Sequence, residues 1–330
     1  MARLKDVPVV LKRVGAFRFL CRVWGQVDED DLLTWGAAMA YAWLFAIFPF
    51  FIFLLSLLPY LPEGLKATAA TEIKNALYAN LPAQGAETLW ANVGNVLTQP
   101  RQSLLGLGIF ITLWAASGGM AMTIKALDTV YELQESRKFY KVRTLAVVLT
   151  IAVATLIISV MILLPIGTMV TRWLDQANIL PKSLLHALDV ARWSLATLFM
   201  FGVVALVYHF APDVKQKFRL ITPGSVLVIA LWVLLGLGFR LYVEKVGSAS
   251  YSRTYGTVGG VAILLLLFYL DAVVLLIGAE INSEIDFEIL GVPRGTRDFR
   301  VPIIEKITAL ATPADQPAPL TPPGAPLPER

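Results

Sequence analysis

Asp271 and Glu280, two carboxylates in an otherwise oily stretch, are the residues with the most chemistry to offer here. A charge held in hydrocarbon is costly, so an intramembrane acid carries a functional hypothesis by default. For Asp271 two readings stand side by side. It either serves a polar cargo or ion, or it is kept protonated or paired with a hydroxyl or Trp of another helix and serves assembly. Nine residues separate it from Glu280. At about 100° per residue the two acids point to opposite helix faces and cannot form an acid–base dyad. Glu280, near the cytoplasmic end of the same helix, is expected to pair with a Lys or Arg of a neighbouring connection, such as Arg137 or Arg143.

Other positions that could shape a polar path are small or helix-breaking. Pro49 removes one backbone hydrogen bond inside an apolar run and should kink it. Ser117-Gly118-Gly119 interrupts a second run, where small residues permit close helix contact or line a path. Gly256, Gly259 and Gly260 open the last run, as a helix start or as a hinge. Beyond these the sequence is chemically quiet. It holds no His-Glu-x-x-His, no Gly-x-Ser-x-Gly and no phosphate-cradling Gly-rich loop. Its two histidines, His186 and His209, are expected in separate loops or helix ends, and Cys21 is the single cysteine. No catalytic residue, metal site or cofactor is expected.

The elements that must position these residues are membrane spans. Hydrophobic residues make up 57% of the chain and charged residues 16%, with a mean hydropathy of +0.67. A soluble domain carries about 25% charged residues. About 20 apolar residues cross a 30 Å hydrocarbon core. Six runs meet that length, at about 32–58, 103–124, 144–170, 193–210, 222–243 and 257–282, which predicts an all-α polytopic membrane protein. Residues 1–31 form a basic amphipathic segment suited to the membrane surface, ending in the acidic run Asp28–Asp31, which reads as a helix cap. Two amphipathic helices, about 65–80 and 83–97, follow the first span. Residues 287–330 form a tail, poor in large apolar residues and expected to be disordered from about 311.

Lys and Arg fall unevenly between the two sides. The N-terminal segment, the 125–143 connection, the 211–221 connection and the C-terminal segment hold 19 of the 28. That excess predicts cytoplasmic termini, as an even number of spans requires. The net charge of +4 then matches an anionic leaflet rather than nucleic acid. The first 31 residues show no cleavable signal, so the first span is expected to direct insertion.

The landmarks also come in a recognisable order. Tyr208-His209-Phe210-Ala211-Pro212-Asp213 is followed by Pro223-Gly224, then Tyr255-Gly256-Thr257-Val258-Gly259-Gly260, then Gly278-Ala279-Glu280-Ile281-Asn282. Upstream, Asp128, Tyr131, Glu135 and Arg137 keep an Asn-x-x-Tyr-x-x-x-Glu-x-Arg spacing, with Asp128 where Asn is usual. Over about residues 30–286 the chain resembles the YihY/BrkB family of bacterial inner-membrane proteins. The resemblance implies a multi-pass protein of the inner membrane, transporter-like or lipid-handling in envelope biogenesis, with membrane lipids as partners. A non-transporting scaffold for envelope proteins is the alternative, and a homo-oligomer is compatible with both. Some members have carried a tRNA-processing ribonuclease label, but this chain lacks the clustered acids and histidines such chemistry needs. Asp271 departs from the family, in which a small or hydroxyl residue is common there.

Overall fold

A computed structural model describes residues 3–57, 63–80, 87, 90–91, 93–94, 102–133, 135–178, 180–242 and 256–290. After a short 3-10 turn at Leu4–Asp6, the helices are α1 (Val7–Val14), α2 (Ala16–Glu29), α3 (Leu32–Leu57), α4 (Glu63–Asn80) and α5 (Gln102–Val130). They continue as α6 (Phe139–Gln176), α7 (Lys182–Phe210), α8 (Pro223–Tyr242) and α9 (Gly256–Leu290). No strand occurs among the described residues, and the all-α membrane class holds.

Four helices carry stretches long and apolar enough to cross a bilayer: Leu32–Pro49, Phe139–Gln176, Lys182–Phe210 and Gly260–Ile289. The apolar part of α8, Pro223–Phe239, is shorter, and α5 is a continuous 29-residue helix. Neither is among the four, so the described residues show four bilayer-length spans of the six expected. The Tyr255 landmark, the 83–97 segment for the most part, and the tail from 291 lie outside the described residues.

Several boundaries differ from the sequence reading for identifiable reasons. Gly15, at φ 86°, splits the N-terminal segment into two helices, a backbone conformation that glycine adopts without steric cost. Of the acidic run, Asp28 and Glu29 close α2, while Asp31, at φ 51°, stands immediately before α3 and its carbonyl accepts from the Trp35 N–H at 3.0 Å. Pro49 lies within α3. Helix α5 runs unbroken through Ser117-Gly118-Gly119, because two glycines cost too little to end a helix packed on both sides. Helix α7 begins at Lys182, eleven residues before the apolar run alone suggested, so His186 is helical and not in a loop. Lys182, His186, Asp189 and Arg192 recur at four- and three-residue steps, the spacing of one helix face. Helix α9 continues to Leu290, past the expected end of the membrane domain.

Helix α9 is the hub. It packs against α3 and α8 and, near its C-terminal end, against α1, α2 and α5, while α6 bridges α5 to α7. Leu32, Met39, Ile124, Leu127, Val204, Val228 and Leu276 form the centre of the core. Lipid tails are as apolar as these side chains, so close backbone approach and polar bonds must set the helix pairing. Gly36 lies so near α9 that a Cβ there would come within 2.6 Å of Val273 Cγ2, and one at Gly119 within 3.0 Å of Trp43 Cδ1. Trp43 Nε1 donates to Thr123 Oγ1 at 3.1 Å across the same α3–α5 contact. A satellite core of Val10, Phe19, Val23 and Ile285 fastens α1 and α2 to α9. Phe17, Leu20 and Trp24 stay exposed on the other side of α2, a face matched to the membrane surface.

Candidate functional site

Two polar assemblies sit at the end of the bundle that carries the 131–138 and 211–222 connections. The first is centred on Arg137. Its guanidinium donates through Nε and Nη2 to Glu135 at 2.8 and 2.7 Å, through Nη2 to the Ala211 carbonyl at 2.9 Å, and to Asp128 Oδ2 at 3.4 Å. Asp213 Oδ1 is 3.9 Å from Nε. The Asp213 backbone N–H donates to Asp128 Oδ1 at 2.7 Å, and the Ser136 hydroxyl donates to Asp213. Three carboxylates thus share one cation and join the α5–α6 connection to the α7–α8 connection. They cannot all ionise at equal cost. Burial, against the Asp213 N–H bond and the Arg137 charge, raises the Asp128 carboxyl to about 7. Glu135 is also penalised by burial, but its paired bonds to Arg137 hold it below the ordinary glutamate range.

The second assembly joins α7, α8 and α9. Thr222 and Ser225 exchange backbone-to-hydroxyl bonds at 2.8 and 3.1 Å, closing a reciprocal cap around Pro223, the first residue of α8. Asn282 accepts from the Gly224 N–H at 2.9 Å and donates to Thr222 Oγ1 at 3.0 Å. Gly224 lies directly on the Gly278 carbonyl, leaving no room for any Cβ. Tyr208, buried on α7, donates to the Leu275 carbonyl at 2.6 Å, while Gln216 donates to the Tyr208 carbonyl at 2.7 Å. A Cβ at Gly278 would come within 2.6 Å of the Tyr208 hydroxyl. The landmarks Tyr208, Pro223, Gly224, Gly278 and Asn282, far apart in sequence, are therefore one interlock.

Glu280 belongs to this region but not to the expected ion pair. Arg137 is committed to Asp128, Glu135 and Asp213, and Arg143 stacks on Trp114 at 4.2 Å and donates to the Trp114 carbonyl. Glu280 is instead fully buried and accepts from Ser283 at 3.3 Å. Asp286, Tyr208 and Glu280 lie within electrostatic reach of Tyr131, whose hydroxyl is pushed well above its ordinary pKa by burial first and by these neighbours next.

The remaining candidates are scattered. Asp271 is half-buried, and Trp232 Nε1 donates to its backbone carbonyl at 3.3 Å, so the Trp contact fixes the helix rather than the carboxyl. Ser117 is buried and returns its hydroxyl to the Trp114 carbonyl at 2.8 Å. Gly119 makes the close α3–α5 contact, and space around Gly118 is open. Gly256, Gly259 and Gly260 form the first turns of α9. His209, at the end of α7, meets the Phe218 ring edge-on at 5.2 Å.

Grooves lie elsewhere, two along α7 and one between α8 and α9. A groove of about 700 Å3 is lined by His186, Asp189, Trp193, Ser194, Thr197, Phe201 and Ile221, among others. A second, of about 560 Å3, separates α6 from α7 and contains Ser159, Gly167, Thr171, Arg192 and Phe199. A third, of about 400 Å3 and almost wholly apolar, lies between α8 and α9. Asp271, Glu280, Pro49 and Ser117 line none of the three. The sequence reading missed the α7 grooves because it began that span at residue 193. The one-face spacing of Lys182, His186, Asp189 and Arg192 was the available signal.

Among proteins of known sequence, the family described as Virulence factor BrkB matches residues 23–298. The chain belongs to the BrkB family. A Bacillus subtilis (strain 168) protein named putative ribonuclease-like protein YfkH is 30% identical over 265 residues, covering 80% of this chain and 94% of that one. A UPF0761 membrane protein of Stenotrophomonas maltophilia (strain R551-3) is 26% identical, covering 82% of this chain and 62% of its own length. A UPF0761 membrane protein of Xanthomonas oryzae pv. oryzae (strain PXO99A) is 27% identical, with 83% and 61% covered. The chain thus spans about three-fifths of the length of those two UPF0761 relatives. No solved structure matches.

Proposed function

We propose that this BrkB-family protein handles lipid in a bacterial inner membrane, moving or presenting lipid headgroups along α7 during envelope biogenesis. The observation that carries this reading is the groove of about 700 Å3 beside α7. From His186 to Phe201 it follows 15 residues of helix. At about 1.5 Å per residue that is about 22 Å, most of the hydrocarbon depth. Its His186, Asp189, Ser194 and Thr197 give a headgroup polar neighbours where lipid alone offers none. In this reading both termini and the basic connections face the cytoplasm, the protein is not an enzyme, and it needs no cofactor. The relatives' membrane-protein names agree with such a role, and the ribonuclease-like name of one relative is not carried over.

A scaffold for envelope proteins is the second reading, favoured by the interlock of Gly224, Gly278 and Asn282, where the landmark polar groups are consumed in helix contacts. Reconstitution separates the two. Fluorescent phospholipid in proteoliposomes should become accessible to an impermeant quencher faster than in empty vesicles. The double substitution Ser194→Leu and Thr197→Leu should return the rate to background, while Asp271→Ala should keep it. Equal rates for wild type and empty vesicles would remove the lipid-moving reading.

A further inference from the structure

On the other flank of α7, Arg192 lines the groove between α6 and α7. It reaches across α6 where residue 167 is glycine: a Cβ there would stand 2.5 Å from Arg192 Cδ, so a larger residue would force the arm to shift. Nη1 donates to Thr168 Oγ1 at 2.6 Å and to the Leu164 carbonyl at 3.4 Å, and Nη2 meets Asp189 Oδ1 at 3.2 Å. The guanidinium is thereby oriented, with its Nε packed toward Gly167 and without an acceptor among the described residues. Guanidinium N–H groups at membrane depth need acceptors, and a planar fork suits a phosphate. Asp189 is 45% exposed while Arg192 is 12% exposed, so the acid is the solvent-side partner that an incoming anion would compete with.

Depth and surroundings identify the anion's carrier. Thr168, against which Arg192 lies, sits two residues inside the end of the apolar run of α6, about 3 Å along the axis. Trp173 and Trp193, both exposed, flank this level as interfacial aromatics do. Inward of the guanidinium the groove becomes apolar, with Ile162, Leu163, Leu195 and Phe199 along its walls. A charged head above an oily slot, between two helices that cross the bilayer, matches one phospholipid.

We infer that the α6–α7 groove is a binding site for an anionic phospholipid of the leaflet away from the basic connections, with Arg192 holding the phosphate and Gly167 making room for Arg192. The site deepens the lipid-handling reading and rests on it for the class of ligand, but binding here does not require that lipid be moved. Native mass spectrometry of the full-length protein in detergent, titrated with phosphatidylglycerol, phosphatidylcholine or diacylglycerol, tests it. Wild type should retain phosphatidylglycerol over diacylglycerol by about tenfold or more, the factor lost with one charge-assisted contact. Arg192→Gln, which keeps a donor for Thr168, should remove that preference, and Arg192→Lys should retain part of it. Equal retention of the three lipids by wild type, which involves no folding question, would overturn the site. So would an undiminished preference in a folded Arg192→Gln protein. Loss of scrambling with this preference intact would instead count against the 700 Å3 groove as a pathway.

Discussion

The bundle end holding Arg137 and Asn282 and the two flanks of α7 use polar residues in opposite ways. At the first, landmark residues close on partners within the protein: Arg137 on three carboxylates, Asn282 on Gly224 and Thr222, Tyr208 on Leu275. At the second, His186, Ser194, Thr197 and Arg192 line open grooves. Family landmarks in a membrane protein therefore need not mark its working surface. Lipid supplies no hydrophobic force between helices, so a bundle fixes its register with buried hydrogen bonds and glycine contacts, and those positions tolerate few alternatives.

The strongest way to break this contrast is to disturb the interlock. Gly224→Val puts a side chain onto the Gly278 carbonyl and should cost more than about 4 kcal/mol, seen as loss of monodisperse protein on size-exclusion chromatography. Arg137→Ala comes next, leaving Asp128, Glu135 and Asp213 facing one another, with an expected loss of about 3–5 kcal/mol in detergent unfolding.

A smaller effect sharpens the same region. Asp128 has a folded pKa of about 7, above its unfolded value, so between the two the folded protein binds more protons than the unfolded one. Stability from this group is full at low pH and falls as pH rises from the ordinary carboxylate range to about 7. Asp128→Asn should abolish that fall and stabilise the protein at pH 8 by on the order of 1–3 kcal/mol, measured as unfolding midpoints at pH 5 and 8. Glu135, whose shift is opposite, supplies stability that disappears on acidification, so Glu135→Gln should flatten the acid limb. On the groove side, Ser194→Leu with Thr197→Leu should change stability by less than about 0.5 kcal/mol while altering lipid movement.

Much of the frame was legible in the sequence because hydrocarbon length is a strong constraint. Apolar runs located α3, α6 and α9, and the order Pro223-Gly224, Gly278, Asn282 marked residues that proved to touch. Which residues meet was not legible. Asp213 joins Asp128 and Arg137 through a connection, and no helical period reports a contact across 85 residues. Glu280 looked like a loop partner because it lies near the end of an apolar run, but α9 continues past that run and Glu280 is fully buried. The first turns of α7 were hidden by their polarity, since a span read from hydropathy starts late where one helix face carries charges.

Cysteine accessibility tests the contrast most directly. With the exposed Cys21 replaced by Ser, single substitutions Ser194→Cys, Thr197→Cys and Ser117→Cys in proteoliposomes are exposed to a water-soluble maleimide. The grooves predict rapid labelling at 194 and 197 and none at 117, which is wholly buried on α5. Labelling at 117 with protection at 194 and 197 would contradict the account.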